Sequence, residues 1–306
     1  MEMTGHIEGL NRRFGIAGVA EVGAGEGGLP MVLISTAAAT ANISLYGAQV
    51  TSWRPAGGED VLFLSARAHW ERGRAIRGGI PICFPWFRGK ADDSKAPAHG
   101  FVRTKDWRLD SLRADDDGSV TLVCVTGSDD ATRAWWPHEF LLVYRVTVGK
   151  TLRLELSVMN SGATPVRFEE ALHTYFRVGS IEDVRVQGLD GRKYLDNTDG
   201  NREQAQRGDA TINAQTDSAY LDTQGPVDVI DGALRRRLRT EKLNSDTTVV
   251  WNPWEDGAAK LSDLGSDEWR QMVCVEASNI LGAAIELAPG EEHTLRAIIS
   301  AVHVPS

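Results

Sequence analysis

The chain has 306 residues, 42% of them apolar and 25% charged, with a formal net charge of −9. That balance suits a globule able to bury a large core, and its acidity argues against a general binder of nucleic acid or anionic membranes. No stretch reaches the ~18–20 consecutive apolar residues of a membrane span, and the opening MEMTGHIEGLNRRFG lacks a signal-type apolar run, so an unexported, cytoplasmic protein is expected.

From the N-terminus, residues 1–29 read as an extension or the first strands, with Gly23 to Gly28 as a loose turn. Short β-rich runs follow at 31–35, 42–46 and 61–64, and the segments near 65–73 and 128–136 have the periodicity of a helical turn or two. After a run at 119–126, the stretches 140–148 and 151–158 form the clearest pair. In the second, Leu152, Leu154, Leu156 and Val158 alternate onto one face, and Gly149-Lys150 before it reads as a two-residue hairpin turn. Further runs lie at 166–170, 184–187, 226–230, 247–251, 272–276, 282–287 and 294–303, separated by turn pairs such as Asp117-Gly, Asp190-Gly and Pro289-Gly. Many strands with little helix between them point to an all-β fold, a large antiparallel β-sandwich in one domain spanning 1–306.

Charge is unevenly spread. Between Arg67 and Arg108 ten Lys/Arg face four Asp/Glu, a local net of +6. Such an island suits a small anionic ligand, or equally a solvated surface. Cys83, Cys124 and Cys274 are odd in number and widely spaced, which reads as buried reduced thiols and neither a disulfide framework nor a metal set. The seven histidines likewise lack metal-ligand spacing, and no Walker, G-x-S-x-G or H-E-x-x-H motif is present.

Four segments carry candidate chemistry. In Arg77-Gly-Gly-Ile-Pro-Ile-Cys-Phe-Pro-Trp-Phe87 the glycines permit close backbone approach to a ligand and the prolines fix the path. In His99-Gly-Phe-Val-Arg103, His99 and Arg103 share a face if the segment is extended, and Arg77 with Arg103 can clamp a phosphate through charge-assisted forks. In Glu169-Glu-Ala-Leu-His-Thr-Tyr-Phe176, His173 sits in an apolar, aromatic run with Glu169 and Glu170 close enough to tune or orient it. On that segment alone a satisfied core histidine is the plainer reading. In Met272-Val-Cys-Val-Glu276, Glu276 ends an apolar strand and faces either solvent or a cleft.

Together with TDSAY (216–220) and VVWNPWE (249–255), the motifs RGGIPICFPWF (77–87), AHGFVR (98–103), EEALHTYF (169–176) and MVCVE (272–276) resemble, in order and spacing, the glucose-6-phosphate 1-epimerase branch of the aldose 1-epimerase superfamily. The resemblance runs from about residue 30 to about 300. It implies a galactose mutarotase-like supersandwich with a cleft on one face, His173 as general acid, Glu276 as general base and Asp217 as a ligand of sugar hydroxyls. It also implies Arg77 and Arg103 at the phosphate, His99 lining the site, and interconversion of the α and β anomers of a hexose 6-phosphate. No cofactor or metal is implied, and the expected partner is a small sugar phosphate bound by a monomer or weak homodimer. Ala98 stands where the family usually has Gln before His-Gly, so one polar ligand contact is missing. Trp86, Trp251 and Trp254 are available as apolar faces for a sugar ring or as core packing. Three other readings share parts of this pattern: a mutarotase of unphosphorylated aldoses, a non-catalytic sugar-phosphate binder and a carboxylate-pair glycosidase.

Overall fold

A computed structural model describes residues 2–304. Their strands pair antiparallel throughout the ladders and form a nine-stranded, an eight-stranded and a four-stranded sheet plus a two-stranded ribbon. One apolar cluster joins the three larger sheets. It takes Trp53 from the four-stranded sheet, Tyr144, Leu154 and Leu156 from the nine-stranded one, and Tyr175, Val250 and Val275 from the eight-stranded one.

The nine-stranded sheet follows the alternation in its sequence. Strands Phe140–Val148 and Leu152–Asn160 pair from Phe140↔Asn160 to Val148↔Leu152. Leu152, Leu154, Leu156 and Val158 are buried, whereas Arg153 is exposed and Glu155 and Ser157 are half-buried. Each such leucine contributes about 1.5–3 kcal/mol by leaving water. The hairpin connection is three residues, Gly149 to Thr151, because Val148 and Leu152 are themselves a pair. The eight-stranded sheet differs, since its strand Met272–Asn279 is buried at every position. This strand is covered on both faces and does not end at Glu276.

Several segments depart from expectation. Residues 65–73 form turns and no helix, whereas 128–136 does contain the helix Asp130–Trp135, capped by Asp129. Residues 61–64 form no continuous strand; they meet neighbouring chain through the isolated bridges Leu62↔Phe176 and Leu64↔Gly78 and through main-chain hydrogen bonds such as Phe63 N–H to the Tyr175 carbonyl at 2.9 Å. Of 282–287, the first part is a 3-10 turn and only Ile285–Leu287 is strand. The N-terminal segment holds a helix, Glu2–Phe14, whose Ile7 is buried and whose Leu10 and Phe14 pack on the core. Strand Ala20–Ala24 and a 3-10 turn at Glu26–Gly28 follow it. No helix among the described residues is long and apolar enough to cross a membrane.

One contact docks two of the motif segments to each other. Gly100 bridges Phe84 in parallel fashion, and the Phe101 N–H donates to the Phe84 carbonyl at 3.2 Å. Gly100 has φ +72°, and a Cβ there would lie 1.8 Å from the Phe84 oxygen. Only glycine permits this approach. Gly100→Ala is expected to cost at least about 2–3 kcal/mol, read as a lowered midpoint in denaturant titration; a wild-type midpoint would refute the requirement.

Candidate active site

Sheet register assembles the site. Strand Met272–Asn279 pairs with Glu170–Leu172 through Leu172↔Ala277 and with Tyr175–Arg177 through Tyr175↔Cys274. The same register carried across the intervening break sets His173 directly opposite Glu276. On its other edge the strand pairs Glu276 with Val249 and Cys274 with Trp251, and Trp251 faces Asp217 one strand further. Directly paired residues share a face, as do residues two apart. Glu276, Cys274, Val249, Trp251 and Asp217 therefore project together.

His173 Nδ1 lies 3.4 Å from Glu276 Oε1. The contact lacks hydrogen-bond geometry, and neither His173 Nδ1 nor either Glu276 oxygen has a hydrogen-bond partner among the described residues. Leaving a carboxylate that is 1% exposed without a donor is costly, so the pair is poised for a guest that supplies polar atoms. The His173 ring stacks on Tyr175 with centroids 4.8 Å apart, and its main-chain N–H donates to the Pro81 carbonyl at 3.0 Å, which fixes its direction.

Burial dominates the protonation of both groups. It raises Glu276 well above the usual carboxylate range, Asp217 adding to the rise and Arg88 and Arg103 opposing it. Burial, then Arg103 and Arg77, hold His173 well below an ordinary imidazole. Both shifts disfavour charge. Together the shifts favour a proton on the carboxyl over one on the imidazole, and the pair titrates as a unit. Cys274 brings its sulfur within 4.8 Å of ligand atoms on this pair. The donor set suits a cation poorly, because burial pushes the Cys274 thiol well above its ordinary value and the thiolate is the ligating form.

The cleft over this face is about 240 Å³ and is lined by Arg77, Arg88, Arg103, His99, Tyr175 and Leu261 together with His173, Asp217, Val249, Trp251 and Glu276. Arg77 donates to the Tyr175 hydroxyl at 2.9 Å and pairs with Asp263 at 3.2 Å. Tyr175 and Asp263 both favour its charged form. Arg103 donates to the Ala98 carbonyl at 2.8 Å. On the opposite side Arg88 pairs with Asp217 at 2.5 Å, and Asp217 accepts from Asn197 at 2.7 Å. His99 Nδ1 accepts the Arg88 main-chain N–H at 3.3 Å, leaving the ring proton on Nε2; burial keeps this imidazole neutral. Four wider cavities, of about 330 to 850 Å³, lie elsewhere, and of these the one of about 500 Å³ has a histidine, His303, in its lining.

All six residues singled out from the sequence, Arg77, His99, Arg103, His173, Asp217 and Glu276, thus line one cleft. Some details differ. The segment 99–103 is not extended: His99 has φ +63° and Val102–Thr104 is a 3-10 turn, so His99 and Arg103 converge by a bend. Glu169 and Glu170 do not orient His173. Glu169 accepts from the Phe87 and Leu281 main chains at 2.9 and 2.7 Å, and Glu170 pairs with His293 at 3.0 Å. Of the ten basic residues in the island only Arg77, Arg88 and Arg103 reach the cleft; Arg72, Arg74, Lys90 and Lys105 pair with acids elsewhere. Trp251 lines the cleft, while Trp86 packs on Phe101 and Trp254 on Trp269. All three cysteines are buried and free. Sequence reading did not single out Arg88, Tyr175 or Asp263. Arg88 and Tyr175 sit within or beside quoted motifs, but nothing in sequence marks Asp263 as the partner of Arg77.

Residues 30–300 match the aldose 1-epimerase family. The chain is 36% identical over 249 residues to a Salmonella typhimurium protein named "Putative glucose-6-phosphate 1-epimerase", covering 81% of this chain and 82% of that one. A protein of the same name from Cenchrus ciliaris is 36% identical over 273 residues, covering 86% and 81%. The crystal structure of a "putative mutarotase" from Salmonella typhimurium superimposes with a TM-score of 0.88 at 31% identity, over 95% of this chain and 96% of that chain.

The raised Glu276 carries a stability signature. A carboxyl whose folded pKa exceeds its unfolded value stabilises the fold fully below the unfolded value, and that contribution is lost as pH rises through the folded one. Glu276→Gln is therefore expected to melt above wild type at about pH 8 and level with it near about pH 4. Parallel melting curves across that range would show that Glu276 is not held protonated.

Proposed function

The chain belongs to the aldose 1-epimerase family, and we propose that it interconverts the α and β anomers of a hexose 6-phosphate, glucose 6-phosphate foremost. The observation that carries this reading is the buried, otherwise unpartnered His173–Glu276 pair beside two cleft arginines, Arg77 and Arg103. In the proposed mechanism Glu276 takes the proton of the anomeric hydroxyl while His173 protonates the ring oxygen. The C1–O5 bond opens to the aldehyde, C1–C2 rotates, and closure with reversed roles returns either anomer. One proton shared by the pair is the number this cycle needs at its start. Asp217 binds sugar hydroxyls, His99 lines the pocket, and Trp251 offers its ring face.

Arg77 and Arg103 take the phosphate, whose binding energy is remote from the anomeric carbon and orients the sugar for proton transfer. They also act on the acid. Both depress the His173 pKa through their charge, so a phosphate dianion seated on them raises it and favours the productive distribution, His173 protonated and Glu276 ionised. The reaction is redox-neutral, with no group transferred, so we propose that it uses neither cofactor nor metal. We read the chain as one catalytic domain working in the cytoplasm, as a monomer or weak homodimer. The structural match across 95% of the chain supports the single domain, and the free buried cysteines suit a reducing compartment.

Exchange NMR on the anomers of glucose 6-phosphate tests the reading. His173→Ala and Glu276→Gln are each expected to slow exchange by a factor on the order of 10²–10⁴, and wild-type rates in either would remove the assignment. Arg77→Ala and Arg103→Ala are expected to lower kcat/KM for glucose 6-phosphate far more than for glucose. Added phosphite should accelerate exchange of free glucose by wild type; equal losses on both sugars and no phosphite effect would sink the phosphate subsite.

A further inference from the structure

We propose that Arg88 is a positioning residue, which locks Asp217 into a neutral donor–acceptor wall for sugar hydroxyls and keeps Asp217 from acting as a second negative charge beside Glu276. The proposal rests on the sugar-binding reading of the cleft given above.

Three observations carry it. First, Arg88 occupies a backbone conformation, φ +59°, that favours glycine. Strain of this kind persists where the surroundings over-determine it, and here the long side chain is held at several points. Nη2 meets Asp217 Oδ1 at 2.5 Å, Nη1 donates to Asn201 Oδ1 at 3.3 Å, and the guanidinium lies 5.7 Å from the centre of the Phe87 ring. Second, the pair is largely shielded, with side chains 21% and 15% exposed. Asp217 Oδ2 is engaged by Asn197, so the carboxylate is fixed at both oxygens. Third, Arg88 Nε is buried with no partner among the described residues. It is a donor on a cleft-lining side chain that a guest hydroxyl can satisfy.

The arrangement separates two tasks among three arginines. Arg77 and Arg103 share Tyr175 and Asp263 as electrostatic neighbours, whereas Arg88 is committed to Asp217 and Asn201. A cleft with both Asp217 and Glu276 charged and unbalanced would repel ionisation of the base. The groups around Glu276 are Asp217 two strands away in the same sheet, Arg88 and Arg103 on the two motif loops, His173 opposite, and the thiols Cys83 and Cys274. Asp217 works against the Glu276 carboxylate and Arg88 for it, so removing Arg88 leaves Asp217 uncompensated.

Arg88→Gly tests this: glycine relieves the left-handed backbone, which offsets part of the cost of leaving Asp217 without its ion-pair partner, and a cooperative melting transition confirms that the variant is folded. Its kcat/KM should fall by roughly 10–100-fold for glucose 6-phosphate and glucose alike. The acid limb of its pH–rate profile, which reports the base, should move to higher pH, with Arg88→Lys recovering part of both. Isotope-edited infrared titration of Glu276 gives a readout independent of turnover, and the midpoint should rise in Arg88→Gly. Unchanged rates and an unchanged Glu276 midpoint overturn the proposal. So does a loss confined to the phosphorylated sugar, which would make Arg88 a third phosphate ligand. A wild-type protein that fails to accelerate anomer exchange sinks the parent reading instead, and the infrared titration still decides whether Arg88 offsets Asp217.

Discussion

The site depends on one constraint: Glu276 lies on a strand that is buried at all eight positions. A carboxyl there is almost wholly buried, open only toward the cleft it lines, and the register on both sides of the break at 173–174 puts an imidazole opposite it. Each group alone is an unfavourable thing to bury. Set 3.4 Å apart without hydrogen-bond geometry, they offset one another only in part, and the remaining imbalance shifts both pKa values toward neutral forms. Both shifts have their main cause in the burial that the sheet imposes.

The loops extend this chemistry. Gly100 lets the segment at 98–103 lie against Phe84, which brings Arg103 and His99 to a cleft whose floor is sheet. Glu169 serves the same assembly from behind by accepting the main-chain N–H groups of Phe87 and Leu281. The carboxylate beside the histidine in sequence is thus a brace for the wall, while the carboxylate 103 positions away faces the histidine. Electrostatically the cleft has a cationic end at Arg77 and Arg103 and a balanced end at Arg88 and Asp217. A ligand with a dianion at one end and hydroxyls at the other matches that polarity.

Much of this was legible in the residues, and the reason is periodicity. Alternation at 152–158 fixes which face of the strand is buried, because side chains on a pleated strand point to opposite sides in turn, and Phe140–Val148 follows it as a hairpin. The N-terminal helix was not legible, since three core-facing residues, Ile7, Leu10 and Phe14, are too few to separate it from a coil. Residues 65–73 misled in the other direction, because their spacing mimics a helical turn while Ser65 and Ala66 are held by Glu268 from a distant part of the chain.

The sequence by itself determined an all-β chain and the ordered motifs that contain His173, Glu276, Arg77, Arg103, His99 and Asp217. Alternation suffices for the strands, because it is a property of neighbouring residues, and the motifs are picked out by their ordered resemblance to the aldose 1-epimerase family. Tertiary structure alone decided that Glu276 is buried at the cleft, that Glu169 and Glu170 pair away from His173, that Asp263 pairs with Arg77 and that Arg88 pairs with Asp217. The physical reason is common to all four. Burial and ion pairing are set by sheet register and loop docking between segments tens to hundreds of residues apart, and no local pattern encodes which distant side chain will stand opposite.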